Sequence, residues 1–193
     1  MGDDHSSARP LRADARRNRE RVLQIAQEAL AADGLTISFD EIARRAGFGV
    51  GTVYRHFPTK EALFEAVLLG RVERFVADAR ALATATDAGR AFFAWFCRVA
   101  QEAAGNQALC DLLEGGAGLG LRPGSTLEAD FADALGRLLA RAQRAGAVRR
   151  DLSADDVRDL LRGSLAAERH ARGRGAAGRM AAVICDGMRA GAD

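Results

Sequence analysis

An all-α fold is predicted by three observations. Ala, Leu, Arg and Glu, which form helices readily, fill most of the 193 residues. Only three prolines interrupt the chain. Its apolar residues recur at intervals of three and four, not in the alternation that a half-buried strand requires. Followed along the chain, this pattern predicts nine helices, no convincing strand and no internal repeat. The length suits one large domain, or a small domain joined to a medium one.

Residues 1–12 are polar and read as a flexible arm. A helix begins at Ala13, with Val22, Ile25, Ala26, Ala29 and Leu30 along one face and Gly34 as its stop. Ser38-Phe39-Asp40-Glu41 is a capping box, serine at the cap and glutamate three residues on. It starts a short helix, Phe39 to Ala46, with Ile42, Ala43 and Ala46 facing inward. Gly47-Phe48-Gly49 breaks that helix. A second short helix, about Val50 to Phe57, stops before Pro58. Thr59 caps a long helix that carries Leu63, Phe64, Val67, Leu68 and Val72 and runs to about Ala83.

The rest of the chain continues in helices. Asp87 to Ala104 contains Phe92, Phe93, Trp95, Phe96 and Val99, and Gln107 to Glu114 is short. Gly115 to Gly124, with five glycines and Pro123, is a loop. Ser125-Thr126-Leu127-Glu128 is a second capping box. It opens a helix with Phe131, Leu135, Leu138, Leu139 and Ala142 on one side, closed by Gly146. Ser153 to Asp156 caps the next, with Val157, Leu160, Leu161, Ser164 and Leu165 in register. After Gly173 and Gly175, a last helix carries Met180, Val183, Ile184 and Met188.

Composition narrows the function classes. Hydrophobic residues make up 48% and charged residues 28%, the balance of a globular chain. The first residues lack the apolar core of a secretion signal, and no run approaches the roughly 18 apolar residues of a membrane span. The expectation is a cytoplasmic protein. Cys97, Cys110 and Cys185 are odd in number and widely spaced in apolar helical patterns, so they read as reduced core cysteines, with a thiol switch as the alternative. The three histidines, at 5, 56 and 170, have no metal-ligand spacing. No Ser/His/Asp set can be placed, and the glycine-rich loop lacks a preceding strand and the Gly-Lys-Ser ending of a phosphate loop. It reads as a gate or connector. Nothing calls for a cofactor, and an enzyme is not expected.

Net charge is only +2, but its distribution is informative. Ile42 to Lys60 holds four basic residues, Arg44, Arg45, Arg55 and Lys60, and no acid. Arg9 to Arg21 holds six arginines against Asp14 and Glu20. Both patches suit phosphate and both suit a solvated face. Two short helices separated by a glycine break and flanked by longer ones form a helix-turn-helix, whose second helix enters the major groove. Its exposed face brings together Gly51, Thr52, Tyr54, Arg55 and His56. The hydroxyls and the imidazole reach phosphates, while arginine reads guanine O6 and N7. Lys60, in the first turn of the next helix, adds an ammonium beside free backbone N–H groups. Tyr54 has two readings, phosphate contact and packing on the following helix. Ile42, Ala43 and Phe57 read as core.

Phe39-Asp40-Glu41-Ile42-Ala43-Arg44-Arg45-Ala46-Gly47, followed by Gly51-Thr52-Val53-Tyr54-Arg55-His56-Phe57-Pro58-Thr59-Lys60-Glu61-Ala62-Leu63, resembles the DNA-binding signature of the TetR family of bacterial transcriptional regulators. The resemblance spans about Ala13 to Val67. It implies phosphate contacts by Thr52, Tyr54, His56 and Lys60, base-edge contacts by Val50, Gly51 and Arg55, and a DNA-facing cap at Ser38. Two positions depart from it. Gly49 stands where many relatives have a serine cap, and Val50 where many have a polar residue. Readout there is expected to rest on Val50 touching a thymine methyl.

The resemblance also implies the domain plan. A DNA-binding domain at 13–60 continues, through a helix over 60–83, into a helical effector-binding and dimerisation domain at 61–193. The Gly146-Ala147-Val148-Arg149-Arg150-Asp151 stretch marks the step to the dimer-forming helices. The apolar stripes of the last two helices predict a homodimer through residues 154–190, because two recognition helices are needed for two half-sites. Phe92, Trp95, Phe96, Arg98, Cys110 and Leu113 are the candidate lining of an effector pocket, with ordinary core as the other reading. The function expected is a repressor released from operator DNA by a small molecule. The alternative is a helical DNA binder without an effector, architectural or gated by a partner.

Overall fold

The computed structural model describes residues 8–33, 37–106, 109, 113, 125–172 and 174–191. Among these residues there are eight helices and no strand, only an isolated bridge between Val148 and Arg189. The chain divides into two compact units, Met1–Leu69 and Gly70–Asp193.

In the first unit α1 (Ala8–Asp33) starts ahead of Ala13 and buries Val22, Ile25, Ala26 and Ala29, as their spacing requires. The Leu30 side chain and Gly34 lie outside the described residues. Helices α2 (Phe39–Ala46) and α3 (Val50–His56) have eight and seven residues. Isolated helices that short are unstable in water, so packing must hold them. Ile42, Val53, Phe57 and Leu63, all nearly inaccessible, form the centre of this unit's core with Val22 and Ile25. Each such side chain contributes about 1.5–3 kcal/mol on burial. Helix α4 (Lys60–Leu82) begins where Thr59 Oγ1 accepts the Ala62 N–H at 3.1 Å.

In the second unit α5 (Ala88–Ala104) packs against α6 (Thr126–Arg144), α7 (Ala154–Arg172) and α8 (Arg179–Met188). Buried residues lie on most sides of α5, as a central helix requires. Gly89 allows it to approach the α6–α7 turn, since a Cβ there would sit 2.4 Å from the Ala147 Cβ. The Trp95 indole donates to the Phe75 carbonyl at 2.9 Å, and its ring lies 5.6 Å from Phe131.

The predicted cap at Ser125 forms, its Oγ accepting from Glu128 N, and Asp87, not read as a cap, accepts from Arg90 N through Oδ1. Ser153 and Asp156 cap reciprocally. Leu109 and Leu113 are helical and buried. The rest of the short helix expected at Gln107–Glu114, the Gly115–Gly124 loop and Gly173 lie outside the described residues. On α8 the buried stripe is Ala181, Cys185 and Met188. Of the apolar residues expected along this helix, Met188 is buried, Met180 and Ile184 are half-buried, and Val183 is 59% exposed.

Candidate nucleic-acid interface

Local chemistry fixes the turn between α2 and α3. Ser38 is exposed and extended, and its Oγ accepts the Glu41 N–H at 3.2 Å. At the other end Gly47 adopts φ 77, the left-handed region that glycine enters without penalty. The next N–H, on Phe48, returns to the Ala43 carbonyl at 2.9 Å, completing a Schellman-type stop. Phe48 and Val50 then pack against the core of this unit. Val50 is therefore partly committed to the core, with only the remainder of its side chain available to a base.

Helix α3 carries one inward residue, Val53, which is fully buried. Gly51 and Arg55, one turn apart, lie on the opposite side, and both are exposed. A Cβ added at Gly51 would meet nothing within 4 Å, so among the described residues its bareness serves no packing. Tyr54 is 53% exposed, and its ring rests on Phe39 of α2 at 4.8 Å between centroids. Thr52 and His56 are half-buried at the sides of the exposed face. Gly49 caps α3 through no side chain, although its carbonyl accepts from Thr52 N at 2.8 Å. Lys60 is half-buried in the first turn of α4, with its Nζ 5.7 Å from the Phe64 ring centroid. Gly51, Thr52, Tyr54, Arg55, His56 and Lys60 thus come together in one unit, along α3 and the start of α4.

Two contacts here were not read from sequence, where Glu41 figured only as the capping-box glutamate and Arg19 only as one charge of a patch. Glu41 takes Arg44 in a two-point contact at 2.8 and 2.7 Å and Arg45 at 2.6 Å. The guanidiniums hold its carboxyl at about 2, so it stays ionised. Half of the basic patch counted over Ile42 to Lys60 is thereby paired with an acid one residue before the counted stretch. Arg19 of α1 stands 5.1 Å above the Phe57 ring, a cation–π contact at the end of α3. Arg17 pairs with Asp14. The arginines of the other predicted patch are therefore not all alike.

The candidate effector residues sit differently. Phe92, Trp95 and Phe96 are completely enclosed, with Phe92 and Phe96 at 6.4 Å. Leu113 is buried as well, and exposed Arg98 bonds Asp78. Cys110 lies outside the described residues. Two grooves in this unit are lined by other residues. One, of about 680 Å³, has Phe93, Ala94, Cys97, Ala147, Cys185 and Arg189 among its walls. The other, of about 630 Å³, lies along α7 and α8 beside Leu152, Leu160, Gly163 and Ile184.

Comparison with known proteins covers both units. A family model described as bacterial regulatory proteins, tetR family, matches residues 22–67. One described as transcriptional regulator SbtR-like, C-terminal domain, matches residues 87–190. A TetR transcription regulatory protein from Mycobacterium vanbaalenii is 46% identical, with 93% of this chain and 99% of that chain covered at a TM-score of 0.67. A TetR transcriptional regulator from Streptomyces coelicolor is 30% identical, with 90% and 99% covered at a TM-score of 0.68. An HTH-type transcriptional regulator of Staphylococcus aureus (strain USA300) is 37% identical over 67 residues, 34% of this chain. The chain spans only 36% of the length of that curated relative.

Proposed function

The chain belongs to the TetR family of bacterial transcriptional regulators, and we propose that it is a homodimeric repressor released from its operator by a small molecule. Members of that family bind operator DNA, are usually homodimers and typically respond to a ligand. The observation that carries the reading is the outward face of α3, where bare Gly51 and exposed Arg55 stand opposite buried Val53. Gly51 lets the helix backbone approach base edges. Arg55 is the side chain suited to guanine O6 and N7. Thr52, Tyr54, His56 and Lys60 flank it as phosphate ligands that set position and carry no sequence information. Ser38 fixes the start of α2, which crosses the DNA backbone in this kind of motif.

The second unit supplies dimerisation and response. Leu160 of α7 and Val183 and Ile184 of α8 are apolar and not enclosed by their own chain. We assign them to the partner-facing surface within residues 154–190. A ligand then acts only through a difference in affinity between the DNA-bound and released states. Such a protein works in the cytoplasm, where the DNA is. No helix of the described residues is long and apolar enough to cross a membrane.

The closed packing of Phe92, Trp95 and Phe96 favours a second reading, a DNA binder with no small-molecule effector. Thermal unfolding against a library of apolar and cationic compounds separates the two. The repressor reading expects at least one compound that raises the melting temperature and weakens operator binding. A library that produces no such compound supports the second reading.

A further inference from the structure

Cys97 on α5 and Cys185 on α8 are 88 positions apart in sequence, yet their sulfurs lie 3.4 Å from each other. Both are free thiols, and both line the groove of about 680 Å³ beside the α6–α7 turn. We propose that Cys97 and Cys185 form a reactive dithiol that hydroperoxides oxidise to a disulfide joining α5 to α8.

The geometry defines the roles. Cys185 is buried, while Cys97 is half-exposed on the groove wall, so Cys97 is the sulfur a peroxide meets first. The thiolate is the attacking form. A hydrogen bond from the Cys185 thiol holds the Cys97 thiol down to about 7, against burial and the Glu168 and Asp186 carboxylates and with help from Arg189. The same bond pushes the Cys185 thiol up, so the pair gives up one proton, from Cys97. An inert core cysteine has neither solvent access nor a sulfur partner; this pair has both.

The chemistry balances with a hydroperoxide as the only oxidant. The Cys97 thiolate attacks the peroxide oxygen, forming S–O as O–O breaks, and the departing hydroxide or alkoxide takes up a proton. The Cys185 sulfur then attacks the Cys97 sulfenic acid. S–S forms, S–O breaks, and hydroxide leaves with the Cys185 proton as water. Two thiols are oxidised by two electrons, and the peroxide is reduced by two. The sulfurs must close from 3.4 Å to about 2.05 Å.

The test uses the full chain, exposed to hydrogen peroxide at neutral pH, quenched by alkylation and mapped by peptide mass. The expected result is a linked Cys97–Cys185 peptide, the loss of two hydrogens per chain, and full reversal by dithiothreitol. Cys110→Ser should behave identically, and in Cys97→Ser the Cys185 thiol should survive. Peroxide that consumes a small thiol added beside the protein, yet leaves Cys97 and Cys185 both open to alkylation, would overturn the assignment. So would a bridge from Cys110 to either residue. Neither outcome depends on the DNA-binding reading.

Discussion

The rings of Tyr54 and Phe39 meet at 4.8 Å with planes 60° apart, so the most exposed aromatic of α3 is braced by the first residue of α2. The ring packs within the chain, and the phosphate contact proposed for Tyr54 falls to its hydroxyl. Tyr54→Phe should leave stability within about 0.5 kcal/mol while costing about 1.5 kcal/mol of DNA binding, roughly tenfold, the size of a hydrogen bond to a charged group. Tyr54→Ala should also lose about 1 kcal/mol of stability with the aromatic pair. Thermal melts and operator titrations read the two effects separately. Equal DNA affinity in Tyr54→Phe would return Tyr54 to packing alone.

Gly47 and Gly51 should respond oppositely to alanine. Gly47 holds φ 77, so Gly47→Ala should cost about 1–2 kcal/mol of stability. Gly51 is helical with open space beside it, so Gly51→Ala should be neutral or stabilising by up to about 1 kcal/mol. Its methyl, however, would stand where the proposed reading brings α3 against base edges. Specific binding should fall by about 1–3 kcal/mol, comparable to a mismatched base pair. Undiminished operator binding by a stable Gly51→Ala protein would remove α3 from the groove.

Arg44 and Arg45 hold the Glu41 carboxyl at about 2, below its ordinary 4.5. A carboxyl held lower in the folded chain favours folding above pH 4.5, and that contribution disappears as pH falls from 4.5 through 2. Glu41→Gln should flatten this part of the acid-stability curve, by a small amount because the group is solvent-exposed. At neutral pH it should release both arginines from the carboxylate, strengthen binding to any duplex and steepen its salt dependence. An unchanged salt slope would show that these guanidiniums do not face DNA.

Val183 tests the dimer surface. It is 59% exposed on α8. Val183→Glu should leave the fold intact and shift the chain toward monomer in light scattering at micromolar concentration, weakening operator binding with it. A wild-type chain that is already monomeric there would contradict the dimer.

Local features were the most legible in the sequence. Ser38, Gly47, Ser125 and Ser153 act through neighbours within about five residues, so their caps and stops could be read from spacing. The inward face of α2 followed from helical period for the same reason. Contacts between elements were hidden. Glu168, almost fully buried, accepts the Gly178 and Ala181 N–H groups at the start of α8 at 2.7 and 2.8 Å, and nothing in its own helix announces that partner. The pairing of Cys97 with Cys185 has the same cause. On α8 an apolar stripe existed on two faces, and period alone did not say which faced the core. An aromatic run such as Phe92 to Phe96 looks the same in sequence whether it lines a cavity or fills one. At the DNA face, residue types revealed the candidates but not the capture of Arg44 and Arg45 by Glu41.

The most direct test of the central claim is a salt series of binding to DNA from upstream of the protein's own gene, beside an unrelated duplex. Binding to the upstream DNA should be the tighter, with log K falling linearly in log salt. Lys60→Ala should weaken both complexes and reduce the slope by about 0.9, one phosphate contact. Arg55→Ala should cost about 1–3 kcal/mol on the preferred sequence only. Equal affinity for both duplexes in the wild type, or a slope and preference untouched by either substitution, would contradict that claim.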